Sequence, residues 1–200
     1  MFKGSHYWIG ILALLLLGTG CATDPRFDRD TVYLGAGGQI VRRNAAEVDN
    51  VSYWDGGGVS GKPSVKICLA EQRAYFYKNN QIVGVSMVST GREGYGTRPG
   101  NFKIIQKDKD HKSSLYGDYI DAYGNVLMKD IDVSKDPKPP GAIFDGAKMP
   151  YFMRIVGGTG MHAGFLPGYP ASHGCIRMPA FMAENFFNSV AVGTPVTITP

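Results

Sequence analysis

Six consecutive positions, Ser172-His173-Gly174-Cys175-Ile176-Arg177, place a thiol, an imidazole, a glycine and a guanidinium side by side. A thiol attacks carbonyl carbon as thiolate, and with an ordinary pKa of about 8.5 it is only slightly ionised at neutral pH. It needs a base or a helix N-terminus at hand. His162, in Met161-His162-Ala163-Gly164, lies thirteen positions before Cys175, enough chain to double back and bring an imidazole to the sulfur. Cys175 is then a nucleophile and His162 the group that takes and returns its proton. Gly174 has no Cβ, so the amides of Gly174 and Cys175 can turn toward a developing oxyanion. Ser172 and His173 read as loop supports, since His173 is next to Gly174 and poorly aimed at the sulfur. Arg177 either binds a substrate carboxylate through two parallel hydrogen bonds or braces the loop.

The run from His162 through Arg177 resembles the catalytic signature of the L,D-transpeptidase family (YkuD-type domain), an upstream His followed by Ser/Thr-His-Gly-Cys, an aliphatic residue and commonly Arg. Thr97-Arg98-Pro99-Gly100-Asn101-Phe102 is loosely similar to a second hallmark of that family. The resemblance covers residues 64 to 199 and implies a mainly β, sandwich-like fold with a short helix after the cysteine. It also implies a reaction. The Cys175 thiolate attacks the carbonyl after the L-centre of a peptidoglycan tetrapeptide stem, expels the terminal D-alanine and leaves a thioester. An amine acceptor resolves the thioester to give a cross-link between stems or an attached protein, and water makes the enzyme an L,D-carboxypeptidase. Family members often hold the second ring nitrogen of the base on a backbone carbonyl. The spacing from His162 to Cys175 is shorter than in several of them.

The segment positioning this chemistry in the cell is N-terminal. Met1-Phe2-Lys3 supplies a positive start, Tyr7 to Leu17 an apolar run too short to span a bilayer, and Gly18-Thr19-Gly20-Cys21 a small-residue exit, so residues 1–20 read as a secretory signal peptide. The exit resembles a bacterial lipobox, which implies lipidation of Cys21 and a membrane-anchored protein facing the periplasm or cell wall. It departs from that pattern in having Gly18 three places before the cysteine, with Leu17 one place too early. The cysteines, Cys21, Cys68 and Cys175, have no disulfide-framework spacing. Cys68 and Cys175 are expected to remain thiols and not to be bridged, with Cys68 a small packed side chain.

Two hundred residues, 44% hydrophobic and 19% charged, suit one globular domain with short appendages. Twenty-seven glycines and twelve prolines favour a strand-rich chain with many turns. The net charge of +4 is mild, and without a dense Lys/Arg stripe an exported chain of this kind is not a nucleic-acid binder. Residues 21–63 read as lipid attachment and linker, with a strand near Thr31 to Leu34 and a packed patch at Val51 to Trp54. The catalytic domain spans 64–200. It opens on the alternation of Val65, Ile67 and Leu69 with Lys66, Cys68 and Ala70, the period of a half-buried strand.

Arg73 to Tyr77 and Ile82 to Val88 form a hairpin turning on Asn79-Asn80. Phe102 to Gln106 is a further strand. Lys107 to Lys148 reads as a polar excursion with one short strand at Val126 to Val133, either a flap over the cleft using Tyr116 and Tyr119 or a solvated insertion. Tyr151 to Val156 is an apolar strand and Pro195 to Thr199 closes the chain. After Pro179, Phe181, Met182, Asn185, Phe186 and Val190 outline a helical face, which sets the nucleophile before a helix whose dipole favours thiolate. No metal or other cofactor is called for, because His111, His162, His173 and Cys175 show no paired ligand spacing. A wall-binding lipoprotein without turnover is the alternative outside enzymology.

Overall fold

The computed structural model describes Asp49 and residues 51–200. The signal peptide, Cys21 and the strand expected near Thr31 to Leu34 lie outside the described residues. The fold is mainly β, with thirteen strands and one helix among the described residues.

Alternating side chains in β2 (Pro63–Cys68) turn Val65 and Ile67 to the main core, and β3 (Arg73–Lys78) answers with Ala74 and Phe76. The hairpin from β3 to β4 (Gln81–Met87) turns on Asn79 and Asn80, both at positive φ, as that two-residue connection requires. The last strand, β13 (Pro195–Thr199), inserts parallel to β2 and antiparallel to β5 (Gly100–Lys103). With β1 (Tyr53–Trp54) on β4, this gives a six-stranded sheet in the order β1-β4-β3-β2-β13-β5. The sheet therefore begins at Tyr53, eleven residues ahead of the expected boundary at Ser64. Trp54 meets Phe76 edge-on at 4.9 Å, and Phe76 meets Phe186 at 4.9 Å.

Facing it is a four-stranded sheet ordered β12 (Ile176–Met178), β11 (Thr159–Ala163), β10 (Phe152–Val156) and β6 (Gln106–Asp108). Its Met153, Ile155, Met161, Ile176 and Met178 meet Val65, Phe76 and Ile198 in one buried cluster. Helix α1 (Ala180–Ser189) closes that cluster with Met182, Ala183 and Phe186, and Val190 packs there as its C-cap. Phe181, expected on the buried face, is 48% exposed, while Ala183 takes the inward position. The strand expected from Phe102 to Gln106 is two strands, because the chain leaves one sheet at Lys103, buries Ile104, and enters the other at Gln106.

The polar excursion is a folded unit. Strands β7 (Lys112–Ile120), β8 (Val126–Asp132) and β9 (Ile143–Lys148) form a three-stranded sheet ordered β8-β7-β9. Its own core is thin, Tyr119, Ile131 and Ala142 with Phe144 against them. One short strand was expected there. A sheet that buries so few apolar groups leaves almost no alternating pattern in its sequence.

Cys68 is buried and disulfide-bonded, whereas Cys175 is free. The two are not bridged to each other, as expected, but Cys68 is not a thiol. No helix among the described residues is long and apolar enough to cross a membrane.

Trp54 ties β1 to the core through Phe76 and Phe186, so Trp54→Ala should destabilise the domain by about 3 kcal/mol in urea denaturation. A loss within experimental error would mean that the chain before Pro63 is peripheral.

Candidate active site

β11 and β12 run parallel, with Met161 opposite Ile176, His162 opposite Arg177 and Ala163 opposite Met178. Residues 164–175 form the crossover between them, and its far end carries the cysteine. That end is pinned by the segment after β4. Ser89 exchanges both backbone hydrogen bonds with Arg177, at 2.9 and 3.0 Å. Ser172 N–H donates to Thr90 O, and Arg92 N–H donates to Ser172 O, each at 3.0 Å. Ser89 Oγ donates to Tyr169 O at 2.8 Å.

Inside the loop, buried Ser172 donates from Oγ to Cys175 O and accepts from Gly174 N–H at 3.0 Å. Thr97 Oγ1 donates to Gly174 O at 2.9 Å and accepts from Gly91 N–H at 2.9 Å. Gly174 sits at φ +110°, a backbone conformation open to glycine. The Gly174 amide thus donates to Ser172 Oγ, where an aim at an oxyanion was expected.

His162 is 6% exposed, and its Nδ1 lies 2.8 Å from Ala163 O. A carbonyl only accepts, so Nδ1 carries the proton and Nε2 is the free lone pair. Burial lowers the imidazole pKa to about 4, with the Ala163 carbonyl opposing and the Arg177 and His111 charges assisting. His162 is therefore a neutral base at pH 7. The half-buried Cys175 thiol donates to Gly158 O at 3.6 Å. Burial pushes its pKa up, against a hydrogen bond from the Gly160 backbone and the charges of Arg177 and Arg154. A strand, not a helix, follows the cysteine, and α1 starts only at Ala180, so the expected dipole is not at the sulfur.

His173 points away into a different set of contacts. Its Nε2 accepts from Arg92 Nη2 at 2.7 Å, the Tyr116 ring stacks on it at 4.2 Å and 16°, and Tyr95 meets it edge-on at 4.7 Å. Burial, then the charges of Arg92 and Arg177, lowers its pKa and keeps it neutral. Tyr116 comes from β7, so the three-stranded sheet reaches the catalytic loop here. Lys135 follows from the same sheet, donating to Tyr95 Oη at 3.2 Å and pairing with Asp132 at 3.3 Å. Arg177 is half-buried, its aliphatic stem lying over Gly164, where a Cβ would stand 3.1 Å from Arg177 Cγ.

A model of the L,D-transpeptidase catalytic domain matches residues 62–198. The chain belongs to the L,D-transpeptidase (YkuD) family. Its fold is similar to that of the L,D-transpeptidase from Mycobacterium smegmatis, at 16% identity and TM-score 0.52, covering 70% of this chain and 59% of that one. The L,D-transpeptidase from Stackebrandtia nassauensis is similar at 18% identity and TM-score 0.51, covering 78% of this chain and 63% of that one. A mutant of the Enterococcus faecium L,D-transpeptidase gives 21% identity and TM-score 0.50, covering 70% and 50%. The chain thus spans half to under two thirds of these structures. Among curated proteins none matches.

Of the residues singled out in sequence, the structure gathers Ser172, His173, Gly174, Cys175 and Arg177 beside the strand of His162. Tyr116 joins them, while Tyr119 is buried in the core of its own sheet. The sequence reading missed Arg92 and Tyr95. It placed Thr97 in the second family hallmark without a role, and that hallmark was the available signal. Arg92 and Tyr95 carried none, since Ser89-Thr90-Gly91-Arg92 reads as a strand end.

The depressed His162 pKa has a consequence for stability. Between pH 6.5 and about 4 the unfolded chain binds a proton at His162 that the native protein refuses. Its stability contribution is complete above pH 6.5 and is lost as pH falls through that window, by about 3 kcal/mol. Urea unfolding at pH 7 and pH 4 should show that decline in the native chain and a smaller one in His162→Gln. Equal declines would place His162 in contact with water.

Proposed function

We propose that the protein is a peptidoglycan L,D-transpeptidase in which Cys175 is the nucleophile and His162 its base. The observation that carries this reading is the buried neutral His162 with its tautomer set by Ala163 O, one strand away from a free, half-exposed Cys175. The resting pair is a neutral thiol and a neutral imidazole. On attack the thiol proton passes to His162 Nε2 as sulfur bonds to the carbonyl carbon after the L-centre of the stem. The Cys175 amide then stabilises the oxyanion. When the tetrahedral centre collapses, the C–N bond breaks, His162 returns the proton to the departing amine, and free D-alanine leaves a thioester. An incoming amine from another stem or a protein lysine, or water in the carboxypeptidase alternative, resolves it.

The three-stranded sheet serves in this reading as a flap. Tyr116 on His173 holds it against the loop that carries Cys175. A tetrapeptide stem is large and flexible, and a wall of this kind excludes water from the thioester. The signal-like N-terminus supports export to the cell envelope. In this reading Cys21 is lipidated and anchors the protein, and intact mass of the mature protein tests it. An acyl-bearing Cys21 supports the anchor, and an unacylated N-terminus sinks it.

Incubation with a disaccharide tetrapeptide should give an adduct on Cys175 by mass spectrometry and release D-alanine, and Cys175→Ala and His162→Ala should each abolish both. Absence of adduct and release with every tetrapeptide would leave the wall-binding alternative. Tyr116→Ala should lower kcat/KM about tenfold while Tyr116→Phe, which keeps the stack, stays near the native value. Unchanged kinetics in Tyr116→Ala would reduce the sheet to a solvated insertion.

A further inference from the structure

The Arg177 guanidinium acts on the Cys175 thiol, and the Arg92 guanidinium acts on Arg177 from its place on His173. The Arg177 side chain makes no hydrogen bond or ion pair among the described residues. No buried side-chain nitrogen or oxygen lacks a partner, so its guanidinium nitrogens remain open to the cleft. Arg92 gives one N–H to the neutral ring of His173 and lies over the Tyr95 ring at 4.7 Å, again without an acid. Of the acids nearby, Asp132 accepts from Ser134 and pairs with Lys135, and Asp130 acts on Arg177 by charge alone, with no hydrogen bond or ion pair to it. The two guanidiniums repel each other, an unfavourable arrangement in the free protein that an anion between them would relieve.

The strand register indicates which anion fits. Arg177 is the direct partner of His162 across the parallel pair, and residues paired in this way project to the same face. His162 hands its proton to the departing amine, and in an α-amino acid the carboxylate is two bonds from that nitrogen. A group held near His162 is therefore placed to meet the carboxylate of the leaving residue. Arg92 is tied to the same loop, by its backbone to Ser172 and by its guanidinium to His173.

We infer that Arg92 and Arg177 bind the free C-terminal carboxylate of the leaving amino acid, so that the enzyme selects stems ending at that residue. This rests on the acyl-transfer reading above. Arg177 is the inner contact, its reach set by its stem lying over Gly164, and Arg92 is the outer one.

The test compares a tetrapeptide donor bearing a free terminal carboxylate with the same donor as its C-terminal amide. For the native enzyme kcat/KM should favour the carboxylate roughly 10- to 100-fold, the effect of losing a charge-assisted hydrogen bond. Arg177→Gln and Arg92→Gln should each shrink that ratio, raising KM for the carboxylate donor more than for the amide donor. Gly164→Ala, which displaces the Arg177 stem and keeps its charge, should act in the same direction. Arg92 is on the surface, so its variant tests the inference even if Arg177→Gln fails to fold. If both donors slow equally in the variants, the arginines serve the thiol alone and the inference is overturned.

A second readout does not need turnover. D-alanine at high concentration should slow alkylation of Cys175 by iodoacetamide in the native enzyme, D-alaninamide should not, and Arg92→Gln should lose the difference. Failure of acylation with this protection intact would overturn the transpeptidase reading and leave the carboxylate site standing. Equal effects of D-alanine and D-alaninamide would overturn the site itself.

Discussion

His162 and Arg177 stand opposite one another in neighbouring parallel strands, and parallel strands cannot be joined by a tight turn. The chain must cross over between them, and in this protein the crossover is the catalytic loop. The same constraint fixes its two ends. At one end the imidazole is locked in β11, and at the other the cysteine enters β12. A loop of that length would be mobile if left alone. It is ordered because Ser89, Thr90 and Arg92 supply a second edge of backbone hydrogen bonds, and because Ser172 and Thr97 satisfy the polar groups inside it.

Burial then sets the resting chemistry. Both partners are pushed toward their neutral forms, the imidazole down and the thiol up. The Arg177 and Arg154 charges favour the thiolate, but burial outweighs them. In the proposed reaction the proton therefore moves when the sulfur attacks. The arginines around the thiol favour negative charge that develops later, first on sulfur and then on the oxyanion.

The small sheet of β7, β8 and β9 shows how a modest core can still matter for the site. It buries only Tyr119, Ile131 and Ala142 fully, yet through Tyr116 and Lys135 it touches His173 and Tyr95. Its small core makes its stability local. The main core, by contrast, joins both larger sheets and α1 through Phe76, Phe186 and Met153. The loop that carries Cys175 is mounted on that part, and the three-stranded sheet leans against it.

Much of this was legible in the residues. The two-residue alternation of β2, the Asn79-Asn80 turn, the apolar β10, the closing strand and the helix after Pro179 each have a local cause, and local causes can be read along the chain. The reactive groups were legible for the same reason, since Cys175 and the His162 motif are chemically distinctive wherever they lie. What sequence could not supply was anything decided by distant pairing. The use of Ala163 O by His162, the commitment of the Gly174 amide to Ser172, and the Arg92 and Tyr95 contacts to His173 all depend on register and packing between segments far apart in the chain. The helix dipole expected at the sulfur is absent because three residues after Cys175 pair with β11 as a strand before the helix begins. The amino acids determined which reactive groups the protein carries. Tertiary structure decided which of them meet, because hydrogen bonds and burial are properties of neighbours in space.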